Sequence, residues 1–480
     1  MNTHANPWFA SPRFGIIAAL LTGVMFLLSI DMGPIGPLAL IAPVPLLVYA
    51  LSAPRAWSVA VAAAVARVLS TGGIVYVYGQ DIPLPAMLVL ISLGAAIYAA
   101  VVLLTRWCAR VAPPALAVFA YPLWLVTSEW LFGLISPNGS FGDMGYSLVD
   151  VLPLLQLASI GGMAALTFCV ALVPMTLAMA IARPAEARVA LLAGGIPVVL
   201  ALVFGMVRLA QDYQSRARVA LVGIDSTMAQ AYRGEAQELD AARAFAAQVR
   251  ALGAGHPDYI VLPEKQLGGA RPTGESARQL AQAASDVAPA TVIVGFDERL
   301  SASERVNSAH ILAPGKSVQR YLKRHMVPGL ELGYTLGTDS FVDGTRGVAI
   351  CKDMDFPRTI RDYGRRGVEL MLVPAWDFVK DARMHSRMAL VRGVENGFAI
   401  ARAAAGGNLT ASDRYGRVIA EATTSRERPV TVSAELGLRG GGTVYTRIGD
   451  AFAWLCVAAA AVLLLWRVRR AQLSPKNRMT

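Results

Sequence analysis

Long apolar runs fill both ends of the chain, and eight of them approach the roughly 20 residues that a helix needs to cross a bilayer. They lie at about 14–30, 35–51, 56–78, 86–105, 115–135, 151–181, 189–209 and 450–468. The first two are short, and the turn Asp31-Met32-Gly33-Pro34 between them would suit a tilted hairpin. The pattern therefore predicts a polytopic α-helical membrane domain of about eight transmembrane helices.

The short connections between these runs differ in charge. Basic residues lie before the first helix, in alternate connections and in the C-terminal tail. They are Arg13 at the N-terminus, Arg55, Arg106, Arg110, Arg183 and Arg188 in the connections, and Arg467, Arg469, Arg470, Lys476 and Arg478 in the tail. The opposite connections, near 31–34, 79–85 and 136–150, contain Asp and neither Lys nor Arg. Because Lys and Arg concentrate on the cytoplasmic side of membrane proteins, we expect both termini in the cytoplasm and the segment after the seventh helix outside it.

Between about 217 and 436, short β-branched runs alternate with Ala-rich amphipathic stretches. Strands are predicted at 218–225, 259–264, 291–297, 308–313, 317–323, 347–351, 369–374 and 398–404, with more near 409–420 and 430–434. Helices are predicted at 235–252, 274–287, 357–366 and 380–396. Such alternation indicates an α/β layered domain. We expect seven transmembrane helices over 1–212, an extracytoplasmic α/β domain over 213–440, and an eighth helix with a basic cytoplasmic tail over 441–480.

Composition narrows the class of protein. Of the 480 residues, 55% are hydrophobic and 16% are charged, which disfavours an ordinary soluble protein and excludes a disordered one. A net charge of +11 raises the question of nucleic acid, but membrane topology accounts for the basic tail, so no nucleic-acid partner is predicted. The four Cys residues show neither a disulfide framework nor a zinc-ligand spacing.

Three of the predicted strands end in a reactive side chain: Glu264, Lys323 and Cys351. Groups at the carboxyl ends of strands in an open α/β sheet can converge on one site. A thiol is nucleophilic as the thiolate, and a neighbouring carboxylate can take its proton as general base. A neighbouring ammonium stabilises the thiolate and the oxyanion that forms when a carbonyl is attacked. Each residue has an alternative when it is considered singly: the Cys could be a buried structural residue, the Glu a turn residue and the Lys a solvated residue. The combination of the three predicts thioester chemistry.

The order Glu264, Lys323, Cys351 resembles the nitrilase superfamily of carbon–nitrogen hydrolases, and the resemblance extends over about 217–436. The residues that show it are Leu262-Pro263-Glu264, the run from Tyr321 to Pro328, Ile350-Cys351 with Asp353 and Phe356-Pro357, and the run from Met388 to Gly397. The resemblance implies an α/β nitrilase-like αββα sandwich, in which the helix of the last run packs near the site.

The membrane part narrows this resemblance. Glu129-Trp130, Gly145-Tyr146-Ser147 and the run from Pro153 to Gly162 are similar to the apolipoprotein N-acyltransferase family. The insertion of a nitrilase-like domain between the seventh and eighth helices is also typical of it. The resemblance implies a multi-pass enzyme of the bacterial inner membrane with its catalytic domain on the periplasmic side. It would transfer an acyl chain from a phospholipid to the N-terminal amine of a diacylglyceryl-Cys lipoprotein.

The same resemblance implies a role for each reactive residue. Glu264 would be the general base, Lys323 would stabilise the oxyanion, and Cys351 would hold the acyl chain as a thioester. Glu331 and Asp353 would support these three, and no metal or organic cofactor is implied. The residues that we expect to contact substrate are Trp376, Glu129 and Tyr334.

Some positions differ from the family pattern. Lys352 follows the nucleophile where an aromatic residue is usual, and Pro374-Ala375-Trp376-Asp377-Phe378 replaces an Asn-Asp-Ala-Trp-Phe-like segment. The strand after the long helix begins Arg402-Ala403-Ala404, where a Thr-Asn-rich strand is usual. These changes touch the pocket and leave the acceptor open. Two alternatives therefore stand: a membrane-tethered amidase or other carbon–nitrogen hydrolase with the same triad, and a lipid-binding or scaffolding protein with an inactive site.

Overall fold

A computed structural model describes residues 6–223, 235–268, 275–287, 290–301, 303–425 and 428–472 of the 480-residue chain. The chain divides into two compact units. The first, which we call the helical unit, comprises Met1–Ser136, Gly142–Ala210 and Ile448–Thr480. The second, which we call the α/β unit, comprises Pro137–Phe141 and Gln211–Arg447.

The helical unit consists of apolar helices. Its α-helices are Pro12–Ser29, Val44–Ser52, Ala56–Ser70, Gly72–Tyr78, Leu84–Ala109, Pro114–Ala117, Ala120–Ile135, Leu152–Leu155, Ala158–Ala182, Ala187–Leu209 and Ala451–Gln472. Within the described chain, seven stretches are long and apolar enough to cross a membrane: Pro12–Ser29, Ala56–Tyr78, Leu84–Ala109, Pro114–Ile135, Ala158–Ala182, Pro184–Leu209 and Ala451–Arg469. The predicted polytopic membrane domain is therefore confirmed.

The span predicted at 35–51 is the one that differs. Here a 3-10 helix, Gly36–Leu40, and an α-helix, Val44–Ser52, form a shorter apolar segment. Pro37 and Pro45 lie in the first turns of these two pieces. Because Pro fits the first turn of a helix and breaks a helix interior, these two residues divide the run into short pieces. Across the described residues, the eight predicted spans correspond to seven stretches of membrane-crossing length and one shorter apolar segment.

Two ionisable residues of the predicted spans have polar partners inside the helical unit. Arg67 Nη1 lies 3.5 Å from Asp31 Oδ2. The Glu129 carboxylate accepts hydrogen bonds from the Met144 N–H at 3.0 Å and from the Thr167 hydroxyl at 2.7 Å. Charged groups in apolar surroundings are costly unless they are paired in this way.

The α/β unit contains two β-sheets. Its strands are β1 Ser215–Gly223, β2 Tyr259–Val261, β3 Leu267–Gly268, β4 Thr291–Arg299, β5 Arg305–Leu312, β6 Gln319–Leu322, β7 Phe341–Asp343, β8 Arg346–Val348, β9 Leu370–Trp376, β10 Ala399–Ala405, β11 Asn408–Ser412, β12 Val418–Thr423 and β13 Val430–Leu438. Its α-helices are Glu235–Gly253, Glu275–Val287, Pro357–Arg365, Ala382–Asn396 and Val444–Ile448. One sheet runs β13-β1-β2-β4-β5-β6 with β3 beside β4, and the other runs β12-β11-β10-β9-β8-β7.

Alternating side chains build the layers of this unit. Leu221 of β1 and Leu372 of β9 belong to the core between the two sheets, while the next residue of β1, Val222, faces the core shared with the helices of the 235–287 stretch. On the second sheet, Met371 faces outward and packs with Ile360 from the helix that precedes β9. Successive strand residues point to opposite faces, so two stacked sheets with helices on both outer faces satisfy this pattern. The predicted αββα class is confirmed.

Candidate active site

The three residues predicted to be catalytic lie just past strand ends rather than at their last positions. Glu264 comes three residues after β2, Lys323 follows β6 directly, and Cys351 comes three residues after β8. Glu264 is 2% exposed and Lys323 is 1% exposed, whereas Cys351 is partly exposed. The strands hold the backbone on which each side chain is mounted, so this cluster is built on the rigid part of the unit.

Glu264 and Cys351 both donate hydrogen bonds to carbonyls at the end of β9. The Glu264 N–H donates a hydrogen bond to the Ala375 carbonyl at 3.2 Å. The Cys351 thiol donates to the next carbonyl along the chain, that of Trp376, at 3.3 Å. Two consecutive carbonyls therefore anchor the predicted base and the predicted nucleophile.

Lys323 links two buried carboxylates. Its Nζ lies 2.8 Å from Glu264 Oε1 and 2.8 Å from Glu331 Oε2. Asn307 Nδ2 donates to the same two carboxylates, at 2.6 Å and 2.8 Å, and the Asn307 carbonyl accepts the Lys323 N–H at 2.9 Å. Burial alone would lower the pKa of Lys323, but neighbouring negative groups, Glu264 foremost, raise it above its ordinary value. Lys323 therefore remains a charged ammonium.

Cys351 sits on a strained piece of backbone. It opens the 3-10 helix Cys351–Asp355 with a φ of +40°, in the left-handed region that side chains other than Gly seldom adopt. Such conformations persist where the surrounding fold enforces them, and they concentrate at functional sites. Burial and then the charge of Glu264 raise the pKa of the Cys351 thiol well above its ordinary value, while Lys323 partly opposes them. The resting thiol is therefore protonated and needs a base when it reacts.

Asp353 joins the ends of β6 and β8. Its Oδ1 accepts the backbone N–H groups of Arg324 and His325, at 3.1 Å and 2.9 Å. Its Oδ2 accepts the Ile350 N–H at 3.0 Å and the Tyr321 hydroxyl at 2.7 Å. Burial raises the pKa of Asp353 to about 6, although these hydrogen bonds pull it down. Asp353 thus clamps the segment that bears the ammonium to the segment that bears the thiol.

Lys265, which the sequence analysis did not single out, also belongs to the cluster. Its side chain is 4% exposed, and its Nζ lies 2.5 Å from Glu331 Oε1. Burial raises the pKa of Glu331, but the positive charges of Lys323 and Lys265 lower it to about 2. The sequence places Lys265 directly after the predicted base, yet neighbours along a chain usually point in different directions. Adjacency alone therefore gave no reason to add it.

Two of the departures from the family pattern are paired with each other. Arg402 Nη1 and Nη2 contact the two carboxylate oxygens of Asp377, at 2.9 Å and 2.5 Å. Both side chains are buried. Asp377 directly follows β9, Arg402 lies in the middle of β10, and the Asp377 N–H donates to the Ala405 carbonyl at 2.9 Å. A bidentate pair of this kind fixes geometry strongly, so it holds in place the Trp376 carbonyl that accepts the thiol.

The third departure, Lys352, is paired as well. Its Nζ donates to Asn138 Oδ1 at 2.9 Å and lies 3.4 Å from Asp355 Oδ2. Ser140 donates both its N–H and its hydroxyl to the Asp355 carbonyl, each at 3.0 Å. All of these residues belong to the α/β unit. The positive charge of Lys352, at the position where the family usually has an aromatic residue, is thus paired with Asn138 and Asp355 of the same unit.

The residues expected to contact substrate have different surroundings. The Trp376 carbonyl accepts the predicted nucleophile's S–H. The Tyr334 ring lies 4.6 Å from Lys265 Nζ, and its hydroxyl donates to Asp297 Oδ2 at 2.7 Å. Glu129 belongs to the helical unit, where two hydrogen bonds occupy its carboxylate. Trp376 and Tyr334 therefore lie in the α/β unit together with the cluster, whereas Glu129 belongs to the helical unit.

The cluster presents a carboxylate, an ammonium and a thiol, which suits proton transfer and attack on a carbonyl. Among the described residues, no group of three or more His, Cys, Asp and Glu is arranged to hold a metal ion.

Comparisons with known proteins match both parts of the chain. The family model for the apolipoprotein N-acyltransferase N-terminal domain matches residues 22–176, and that for carbon-nitrogen hydrolase matches residues 218–440. An apolipoprotein N-acyltransferase of Geobacter metallireducens is 29% identical over an alignment of 517 positions that covers 96% of this chain and 96% of that one. An (R)-stereoselective amidase of Pseudomonas sp is 30% identical over an alignment of 205 positions that covers 37% of this chain and 73% of that one. The crystal structure of a CN-hydrolase superfamily protein from Xanthomonas campestris is 19% identical, with a TM-score of 0.38, and covers 46% of this chain and 91% of that one.

The protein is therefore a transmembrane protein that contains a carbon–nitrogen hydrolase domain, because it has apolar helices and its α/β unit holds the matched hydrolase region. The two family models fall in succession on these two parts, and the full-length relative spans both. The chain thus matches the apolipoprotein N-acyltransferase family along nearly its whole length. It is thus an enzyme of the acyltransferase and hydrolase kind, as the sequence predicted.

Proposed function

We propose that this protein moves an acyl chain from a membrane phospholipid onto Cys351 and then onto the N-terminal amine of a diacylglyceryl-Cys lipoprotein. The observation that carries the proposal is the contact of Lys323 with Glu264 at 2.8 Å, beside a thiol that interacts electrostatically with both. That arrangement supplies a base, a nucleophile and a cation in one place. The match to the family and the apolar helices support lipid substrates.

In the first half-reaction, Glu264 takes the proton of the Cys351 thiol, and the thiolate attacks the carbonyl carbon of a phospholipid ester. The carbonyl oxygen becomes an oxyanion, which the Lys323 ammonium stabilises. The intermediate collapses when the C–O bond breaks, and the lysophospholipid leaves with the proton returned by Glu264. The product is a thioester on Cys351.

In the second half-reaction, the amine of the lipoprotein attacks the thioester carbonyl. Glu264 takes a proton from the amine, and the oxyanion forms again beside Lys323. The C–S bond then breaks, the thiolate of Cys351 recovers the proton, and the amide is released. Glu331 and Asp353 do not touch the reacting atoms. Glu331 fixes the ammonium at 2.8 Å, and Asp353 holds the two chain segments together.

The charge pattern supports a location for this chemistry. Because basic residues gather in alternate connections and the C-terminal tail, we infer a protein of the bacterial inner membrane with both termini in the cytoplasm and the α/β unit on the periplasmic side. Reporter fusions after the C-terminal helix and within the 428–447 stretch would test this. The first should report the cytoplasm and the second the periplasm, and the reverse order would contradict the topology.

The direct test of function uses the full chain purified in detergent, with phospholipid as donor and a diacylglyceryl-Cys peptide as acceptor. We expect mass spectrometry to show a peptide heavier by one acyl chain, formed by the unaltered protein and absent with Cys351→Ala. Cys456→Ala, which removes a buried thiol of the helical unit, is the matched control and should be active. An unacylated peptide after exposure to several phospholipid classes would contradict the proposal.

A second candidate function is amide hydrolysis by the same triad. The match to a stereoselective amidase and the altered positions Lys352, Asp377 and Arg402 favour it. The same purified protein should then release ammonia from small amides in a reaction that Cys351→Ala abolishes. Hydrolysis of amides together with no acyl transfer from phospholipid would select this alternative.

A further inference from the structure

Lys265 occupies an unusual position beside the triad. Its backbone has a φ of +53°, a left-handed conformation that is costly for a residue with a side chain. This turn sends Lys265 and the preceding Glu264 into the same buried cluster, where Lys265 Nζ lies 2.5 Å from Glu331 Oε1. A strained backbone that delivers a second ammonium to a buried carboxylate indicates that this ammonium has a use.

Charge balance indicates what the use is. Glu264, Glu331 and Lys323 alone would form a buried group with one excess negative charge. Lys265 makes the group neutral. Negative charge is costly in a buried site unless a cation balances it, so the excess would oppose ionisation of the nearby thiol.

The other charges near the thiol do not replace this effect. Asp377 and Arg402 both interact with Cys351, but they form a bidentate pair and largely cancel each other. A further charged pair close to Lys265 is also balanced within itself. Arg305 lies 4.5 Å from the Tyr334 ring that also faces Lys265, and it forms an ion pair with Asp297 at 2.5 Å.

We propose that Lys265 is a positioning residue that neutralises Glu331 and thereby lowers the pH at which the Cys351 thiol becomes a nucleophile. Lys265 acts through Glu331, which also holds Lys323, and does not touch the reacting atoms. The inference deepens the proposed function, since it takes Cys351 as the nucleophile. It needs neither the lipid donor nor the lipoprotein acceptor.

The test measures the pH dependence of Cys351 alkylation by iodoacetamide in the full chain in detergent. Modification is followed by mass spectrometry of the peptide that contains Cys351, so the other thiols do not interfere. We expect Lys265→Met to move the alkylation midpoint upward by about one pH unit, since one nearby charge shifts an ionisation by about that much. Lys265→Arg keeps the charge and should stay close to the unaltered protein. Lys316→Met removes an exposed lysine of the same unit and is the matched control.

A double variant separates charge from folding. Lys265→Met/Glu331→Gln removes both members of the pair, leaves no excess charge and should return the midpoint toward that of the unaltered protein. If Lys265→Met leaves the midpoint unchanged, or if Lys265→Arg shifts it equally, the proposal is overturned. A double variant that keeps the full shift would overturn it too. Alkylation uses no substrate, so the two proposals can fail separately. If the protein takes no acyl chain from phospholipid but shows the expected shift of the alkylation midpoint, the proposed function is contradicted and the role of Lys265 stands.

Discussion

The two sides of the active site are held in different ways. On the acid–base side, Glu264, Lys323, Glu331 and Asn307 form a closed network of contacts between 2.6 and 2.8 Å. On the nucleophile side, the Cys351 thiol makes a longer contact of 3.3 Å to a carbonyl, from a backbone with positive φ. Charged hydrogen bonds are strong and short, whereas a thiol is a weak donor.

This difference assigns a separate task to each side. The network cannot rearrange without leaving a buried charge unpaired, so it presents the base and the cation in a fixed geometry. The thiol can leave its carbonyl at small cost, which a nucleophile must do when it gives up its proton and forms a new bond. We therefore expect substitutions in the network to affect stability as well as catalysis, and substitution of the thiol to affect catalysis alone.

The largest effect is expected from Cys351→Ala. Turnover should fall by at least about a thousandfold, because covalent catalysis ends while binding and the electrostatics of the site remain. The melting temperature of the protein in detergent should change little, since the lost contact is weak. A variant that retains more than a tenth of the activity would contradict the assignment of Cys351 as the nucleophile.

Glu264→Gln should come next. Gln has nearly the same shape but cannot accept the thiol proton, so the rate should drop by roughly 10²- to 10⁴-fold. Lys323 would retain Glu331 as its partner, at 2.8 Å. Single-turnover acylation measures the effect, with Glu304→Gln, an exposed residue of the same unit, as the control. An equal loss in the control would show that the assay reports folding instead of the base.

Asp353→Asn probes the clamp between the two sides. An amide has one acceptor oxygen, so the variant cannot satisfy all four donors that Asp353 accepts. We expect the free energy of unfolding to fall by about 2–3 kcal/mol and turnover to fall by about tenfold or more. Chemical denaturation and acylation rates measure the two effects. Unchanged stability would contradict the clamp.

The lowered pKa of Glu331 predicts that the free energy of unfolding depends on pH in the acidic range. Its pKa in the folded protein is lowered to about 2 from an ordinary value of 4.5, so its contribution is complete above about pH 4.5. That contribution is lost as the pH falls from about 4.5 toward 2, and it amounts to on the order of 3 kcal/mol. Glu331→Gln should therefore unfold with a weaker dependence on pH across this window. Parallel curves for the two proteins would contradict the prediction.

The smallest effect is expected from Tyr334→Phe. The hydroxyl donates to Asp297 at 2.7 Å, but the ring, which faces Lys265 and Arg305, would remain. The loss should be about 1 kcal/mol of stability, and turnover should change less than about threefold. A much larger loss of turnover together with a raised KM for phospholipid would instead support Tyr334 as a substrate contact.

The sequence was sufficient for the fold class because hydropathy and side-chain alternation act locally. The apolar runs predict helices directly, and the continuous apolar run from Val219 to Val222 in β1 predicts a strand buried on both faces. The short span predicted at 35–51 is a short apolar segment in the structure as well, but a hydropathy pattern does not register how Pro37 and Pro45 divide it into two pieces. The predicted strands that hold the reactive residues extend too far, since each of these residues lies after the end of its strand in the structure.

Only some residues of the site could be predicted from the sequence. Glu264, Lys323 and Cys351 could be selected by their order and local context. The pairing of Asp377 with Arg402, like the ion pair of Lys265 with Glu331, joins residues far apart in the chain. Such pairings depend on sheet register and turn conformation, which a single sequence does not specify. For that reason Asp377 and Arg402 appeared as two separate departures, although they compensate each other.

Mass spectrometry of the Cys351 peptide after incubation with phospholipid, in the absence of any acceptor, gives the sharpest result. We predict a mass increase equal to one acyl chain on Cys351, removed by hydroxylamine and by a diacylglyceryl-Cys peptide, and slowed strongly in Glu264→Gln. Acyl transfer to the acceptor with no adduct on Cys351, or an adduct that forms equally fast in Glu264→Gln, would contradict a thioester mechanism driven by this cluster.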